Sequence, residues 1–149
     1  MQPFEGERVV GLLPEQLWPK LRDAAFLATC IPDGTPHEGG TRDQAVCTVR
    51  PGFSFMRGSI DITIDVLGGD EPKTLIYSQK SAGLGTSSEV ETLLTLTAHE
   101  HGTKIVWRAE VKSLGGLLKL VPTGLIRGAA QKVIDDVWQG VADKLAPKL

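Results

Sequence analysis

Among the side chains of this 149-residue chain that could do chemistry, the most suggestive pair is His99 and His101. At i, i+2 spacing on a strand both rings point to one side, as two metal ligands do. Gly102 follows at once and marks a hairpin end, however, and Glu100 points the other way. A solvated turn is therefore expected, and His37, in a loop of Pro and Gly, is expected to be plainer still. Nucleophilic catalysis needs a nucleophile beside a base, and acid–base catalysis needs carboxylates that face one another. Ser87 and Ser88 have no legible histidine partner, and Asp61, Thr63 and Asp65 share the polar face of one strand, towards solvent. Gly83-x-Gly85 lacks the strand-turn-helix context of a phosphate loop and reads as a bend. Cys30 and Cys47 form no CxxC arrangement and read as two buried thiols, a bridge between them being the alternative. Lys112, Lys119, Arg127 and Lys132 read as solvated charge rather than a patch for anionic lipid. No catalytic residue, cofactor or metal site is predicted.

Composition narrows the class further. The length is that of one domain, 1–149, and a domain of this size buries about 70% of the surface its unfolded chain exposes. Apolar residues make up 41%, charged residues 23%, and the net charge is −2, so there is no basic field for nucleic acid. The N-terminus lacks a basic n-region and an apolar h-region, and no apolar run approaches the roughly 18 residues of a membrane span, so a cytoplasmic protein is expected. The chain contains no Asn and only two Met, which leans towards a heat-adapted source, where thermolabile residues are depleted.

The elements that must position any site follow from periodicity. Glu7 to Leu13 reads as a strand closed by Pro14, which suits the first position of a helix carrying Leu17, Trp18 and Leu21 inward. Pro19 removes a hydrogen bond inside it, so this helix is expected to be short or bent. Asp23 caps a second short helix, Ala24 to Cys30, stopped by Ile31-Pro32. Strand character resumes at Ala45 to Val49. In Phe53 to Leu67, Ile60, Ile62, Ile64 and Val66 alternate with Ser59, Asp61, Thr63 and Asp65, as on a half-buried antiparallel strand. Further strands are read at Lys73 to Lys80, Ser88 to Glu100 and Thr103 to Ser113.

The last third is read as one long amphipathic helix. Apolar residues recur every four positions from Gly115 through Leu117, Val121, Leu125, Ala129, Val133, Val137 and Val141 to Leu145. A second row, Leu118, Ile126, Ala130, Ile134, Trp138 and Ala142, lies beside it. Pro122 predicts a kink, or a helix start there after a separate turn. The fold class is thus α+β, a curved antiparallel sheet around one long C-terminal helix. Gly124, Gly128, Ala129 and Ala130 make that helix thin in its middle, where a twisted sheet would leave a cavity. Its expected lining is Phe55, Ile62, Ile64, Tyr77, Leu94, Ile105 and Trp107 from strands, and Leu125, Ala129 and Val133 from the helix. Phe26 and Ile31 stand near a mouth. Tyr77 and Trp107 are the polar handles. An ordinary filled core is the competing reading.

Several stretches carry a resemblance: Leu17-Trp18 with Leu21-Arg22-Asp23, Leu27-Ala28-Thr29-Cys30-Ile31-Pro32, Gly58-Ser59-Ile60-Asp61-Ile62-Thr63, and Leu125-Ile126-Arg127-Gly128-Ala129-Ala130-Gln131-Lys132. Over nearly its whole length the chain resembles the helix-grip superfamily of START domains, polyketide cyclases and the birch-pollen allergen, also called SRPBCC. Within it the chain resembles the carbon-monoxide dehydrogenase CoxG family; Asp33 departs from that family's usual Cys-Ile-Pro-Gly. The resemblance implies a non-enzymatic carrier holding a quinone, lipid or isoprenoid between sheet and helix. It further implies service to a membrane-linked molybdenum hydroxylase of the CO-dehydrogenase type, with transient contact at the inner membrane face or with the dehydrogenase. Two readings oppose it: an enzyme of the cyclase or hydratase type on the same fold, and a ligand-free protein-interaction module.

Overall fold

The computed structural model describes residues 2–50 and 58–145. The period-2 segments form one seven-stranded sheet: β1 (Phe4–Val10), β2 (Gly34–Pro36), β3 (Gln44–Val49), β4 (Ile60–Gly68), β5 (Thr74–Gly83), β6 (Thr86–His99) and β7 (Gly102–Gly116). The spatial order is β1-β7-β6-β5-β4-β3-β2, every neighbouring pair being antiparallel. The β5–β6 hairpin closes through Leu84 and Gly85, at φ 56° and 73°. A two-residue type I′ turn needs positive φ at both positions, which is what makes Gly83-x-Gly85 a bend.

Between β1 and β2 stand α1 (Pro14–Leu21) and α2 (Ala24–Thr29). Pro14 opens α1, and the Gln16 side chain accepts from the Leu13 amide at 3.0 Å. With Pro19 inside it, α1 lasts only 8 residues. Asp23 caps α2 by accepting from the amides of Ala25 and Phe26. Side chains then lock this helical layer to the sheet: the Trp18 indole donates to the Thr74 carbonyl at 2.9 Å, and the Tyr77 hydroxyl to the Leu21 carbonyl at 2.5 Å.

The C-terminal third departs from the sequence expectation in its start. β7 continues to Gly116, because Ser113 to Gly116 pair with β6 from Glu89 back to Thr86. One 3-10 turn (Leu117–Leu120) then leads to α3 (Thr123–Leu145), whose first carbonyl acceptor is Pro122. Proline there lacks only a donor that the helix start does not use, so it begins the helix instead of kinking it. The principal core joins Leu17 and Leu21 of α1, Leu75 and Tyr77 of β5, Leu94 of β6, Ile105 and Trp107 of β7, and Trp138, Val141 and Leu145 of α3. A second, smaller core packs Ala24 and Ala28 of α2 on Ala45 and Cys47 of β3 and Ile64 of β4.

Tyr77 is the only tyrosine in the chain, and burial pushes its phenol far above the usual value, with Arg22 pulling weakly the other way. The neutral form is favoured in the folded state, so the stabilisation is complete below the unfolded value of about 10 and is lost as pH rises above it. Stability is expected to fall by up to about 1.4 kcal/mol per pH unit there. Absorbance at the phenolate band should appear only together with loss of the fold; a phenolate titrating at its ordinary pH in the folded protein would contradict this.

Candidate ligand-binding surface

The inner face of the sheet is graded from full to open. Towards one end Leu75, Tyr77, Leu94, Leu96, Ile105 and Trp107 are buried beneath α1 and the C-terminal half of α3. The Trp107 ring stacks on Trp138 with centroids 4.8 Å apart. Towards the other end, the same inward parity on β4 to β7 gives Ile60 and Ile62, Gln79 and Ser81, Ser88 and Val90, and Val111, all only half-buried. On α3, Ile126 and Ala130 are also half-buried. This open end is apolar on β4, β7 and α3 and hydrogen-bonding on β5 and β6. There Thr92 donates to Gln79 at 3.1 Å, and the Ser81 and Ser88 hydroxyls meet at 2.5 Å.

The residues expected to line a cavity are distributed differently from the sequence reading. Tyr77, Leu94, Ile105 and Trp107 lie in the principal core, with Phe26 packed against it; Ile64 lies in the second core, with Ile31 and Ile62 against it. Phe55 falls outside the described residues. Leu125 and Val133 are 68% and 55% exposed, and Ala129 is exposed as well. These three belong on the outer flank of α3, and the inward row is Ala130, Ile134, Trp138, Val141 and Leu145. The reason is geometric. At 3.6 residues per turn, a row spaced strictly by four drifts about 40° per step, and about 160° between Leu125 and Val141. One end of such a row can face the sheet only if the other does not.

Of the two polar handles, the Tyr77 hydroxyl is committed to the Leu21 carbonyl. The Trp107 indole N–H is buried without a hydrogen-bond partner, and its ring lies over Gly6, where any Cβ would collide with it. Gln79, Ser81, Ser88 and Thr92 escape a reading based on hydrophobicity. Strand parity with Tyr77 and Leu94 is the signal that locates them.

The remaining candidates are quiet. His99 and His101 are exposed at the β6–β7 hairpin, and among the described residues no three His, Cys, Asp or Glu side chains are placed to hold a metal. Cys30 and Cys47 are free and buried, and burial pushes both thiols up. Of the four basic residues, Arg127 is consumed by the Gln2 and Pro3 carbonyls and stacks over Phe4. Lys112 pairs with Glu110 and Lys132 with Asp136. His37, Thr48 and Asp61 form an exposed hydrogen-bonded line tying β2 to β4. Thr48 gives its proton to Asp61 there, which leaves no histidine base acting on it. No helix among the described residues is long and apolar enough to cross a membrane.

A curved antiparallel sheet gripping a long C-terminal helix, with two short helices after the first strand, defines the helix-grip class of START and birch-pollen-allergen folds. The chain belongs, over residues 6–146, to the carbon monoxide dehydrogenase CoxG family. Solved structures share the fold at low identity. A conserved protein from Geobacillus kaustophilus has TM-score 0.80 and 19% identity, covering 96% of this chain and 94% of that one. A protein from Mycobacterium smegmatis has TM-score 0.69 and 12% identity, covering 96% and 90%. One from Chromobacterium violaceum has TM-score 0.66 and 14% identity, covering 99% and 100%. No curated protein matches the chain.

Proposed function

We propose that this protein is a non-enzymatic carrier that holds a quinone-like or lipid-like molecule against the open end of its inner sheet face and serves a membrane-linked CO-dehydrogenase-type enzyme. The observation that carries the reading is the composition of that end. Ile60, Ile62, Val90, Val111 and Ala130 offer an apolar bed, while Gln79, Ser81, Ser88 and Thr92 offer hydrogen bonds down its middle. A molecule with an apolar body and a polar head fits such a surface. These hydroxyls and this amide can orient a ligand but do not exchange protons near neutral pH, which argues against an acid–base enzyme of the cyclase or hydratase type.

A carrier must also load and unload. Leu117, Leu120, Val121, Leu125 and Val133 expose apolar side chains on the 3-10 turn and the first half of α3, Leu120 at 81%. Such a rim suits transient contact with the inner membrane face or with the dehydrogenase. It also favours the second reading, a ligand-free interaction module. The two separate in one titration. A short-chain prenylated benzoquinone or naphthoquinone should quench the Trp107 and Trp138 fluorescence saturably at one molecule per chain. Ala130→Phe, on the inward row, is expected to weaken binding about tenfold or more by occupying the site. Ala129→Phe, on the outer flank, should leave it unchanged. No saturable quenching by quinone, together with no uptake of fatty acid or phospholipid probes, would leave the interaction module standing.

A further inference from the structure

The opposite, convex face of the sheet carries a groove of about 540 Å³ lined by Asp43, Gln44, Asp65, Val66, Leu67, Ser78, Lys80, Glu89 and Glu91. Its centre is set by strand register. Asp65 on β4 pairs with Ser78 on β5, which pairs with Glu91 on β6. Two carboxylates thus straddle one hydroxyl, their Cα atoms two strand spacings, or about 10 Å, apart. Ser78 is 7% exposed, and its Oγ is buried without a hydrogen-bond partner. A hydroxyl at the floor of a groove, unpaired although acceptor and donor at once, calls for a polar partner, because an unmade buried hydrogen bond is costly.

The charges identify what that partner would be. Asp43 is taken by Arg22 at 2.6 Å, and Lys80 stands between Thr63 and Glu89 in register. Lys112 bonds Glu110 at 3.0 Å and reaches Glu91 and Glu89 only through space. Asp65 accepts from the Gln44 amide at 2.6 Å. Among the described residues neither Asp65, Glu89 nor Glu91 forms an ion pair, so the groove is left net negative around Ser78. The carboxylates are not placed to share one metal ion. Leu67, 56% exposed, forms an apolar end.

We infer that this groove docks an arginine side chain on a segment of a partner protein. The planar guanidinium carries five N–H donors, enough to meet carboxylates on both sides and to donate to Ser78 Oγ between them, which a compact ammonium cannot do. The methylene stem lies on Leu67. Exposed apolar surface continues at Leu93, so the occupant is part of a larger surface rather than a free small cation. The inference is independent of the carrier reading, since the groove is on the other side of the sheet.

The probe is the blocked tripeptide acetyl-Leu-Arg-Leu-amide, titrated into isotopically labelled full-length protein with backbone amide shifts as readout. Saturable shifts confined to residues 65–67, 77–81 and 89–92 are expected. Glu91→Gln should weaken binding about tenfold and Ser78→Ala about threefold, the first losing a charge-assisted bond and the second a neutral acceptor. Amide dispersion reports in the same spectra that each variant is folded. Shifts absent at millimolar peptide, or unaltered by Asp65→Asn with Glu91→Gln, would overturn the proposal. So would the matching lysine peptide or spermidine binding as tightly.

Discussion

Replacing Trp138 by alanine is expected to remove about 3–5 kcal/mol of folding free energy, the usual loss for a large buried aromatic residue. Trp138 anchors the C-terminal half of α3 on the sheet: it is 9% exposed and stacks on Trp107 at an interplanar angle of 13°. Val141 and Leu145 follow one and two turns later on the same side and are also buried. Truncation leaves a void between two rigid elements, because β7 is held on both sides and cannot collapse towards the helix. Trp138→Phe should recover more than half of the loss by restoring an aromatic face to Trp107. Equilibrium denaturation of the three proteins checks this, and a Trp138→Ala loss below about 1 kcal/mol would show that α3 is not anchored there.

Gly140→Val is the second large effect, and it acts in the opposite sense, by adding volume. A Cβ at Gly140 would stand 2.5 Å from the Cys30 carbonyl oxygen, a backbone atom with no freedom to rotate away. Cys30 closes α2, so any added side chain must push α3 from α2. Valine should cost about 1–3 kcal/mol for overpacking, more than offsetting the roughly 0.5–1 kcal/mol by which glycine itself weakens a helix interior. The comparison is Gly128→Ala, where a Cβ meets nothing within 4 Å; that change should stabilise. Thermal unfolding of both variants separates close approach from mere helix propensity, and a Gly140→Val protein as stable as the parent would contradict the α2–α3 contact.

The two sites contrast in how much of them is legible in the sequence. Alternation in Ile60 to Val66 and in Ile105 to Val111 marks strands, and Pro14, Asp23 and Gly83-x-Gly85 mark the helix starts and the hairpin, because each rests on local backbone chemistry. The rotation of α3 is not legible. Two adjacent apolar rows make the stripe wide, and the packing of Trp138 on Trp107 and of Arg127 on Phe4 sets the rotation that exposes Leu125, Ala129 and Val133 and leaves Ala130 half-buried. The start of α3 is misread from sequence because Gly115, Leu117 and Val121 fit a helical spacing, whereas pairing with β6 extends β7 through Gly116.

Choosing the site by hydrophobicity hides half of it. Tyr77 and Leu94 read as inward, and Gln79, Ser81, Thr92 and Ser88 share their parity, so the polar middle of the open end is present in the same pattern. The convex groove is different in kind. Asp65, Ser78 and Glu91 are far apart in sequence, and only the register of β4, β5 and β6 sets them side by side. A period-2 pattern places each on the outer face and says nothing about its neighbour.

The carrier reading is tested most directly by native mass spectrometry of the protein purified from its own source, followed by organic extraction of what it carries. The expected result is a stoichiometric adduct that extracts as a quinone, lipid or isoprenoid and is lost from Ala130→Phe but kept by Ala129→Phe. A bare polypeptide mass, with no uptake of added quinones or lipids, would contradict it.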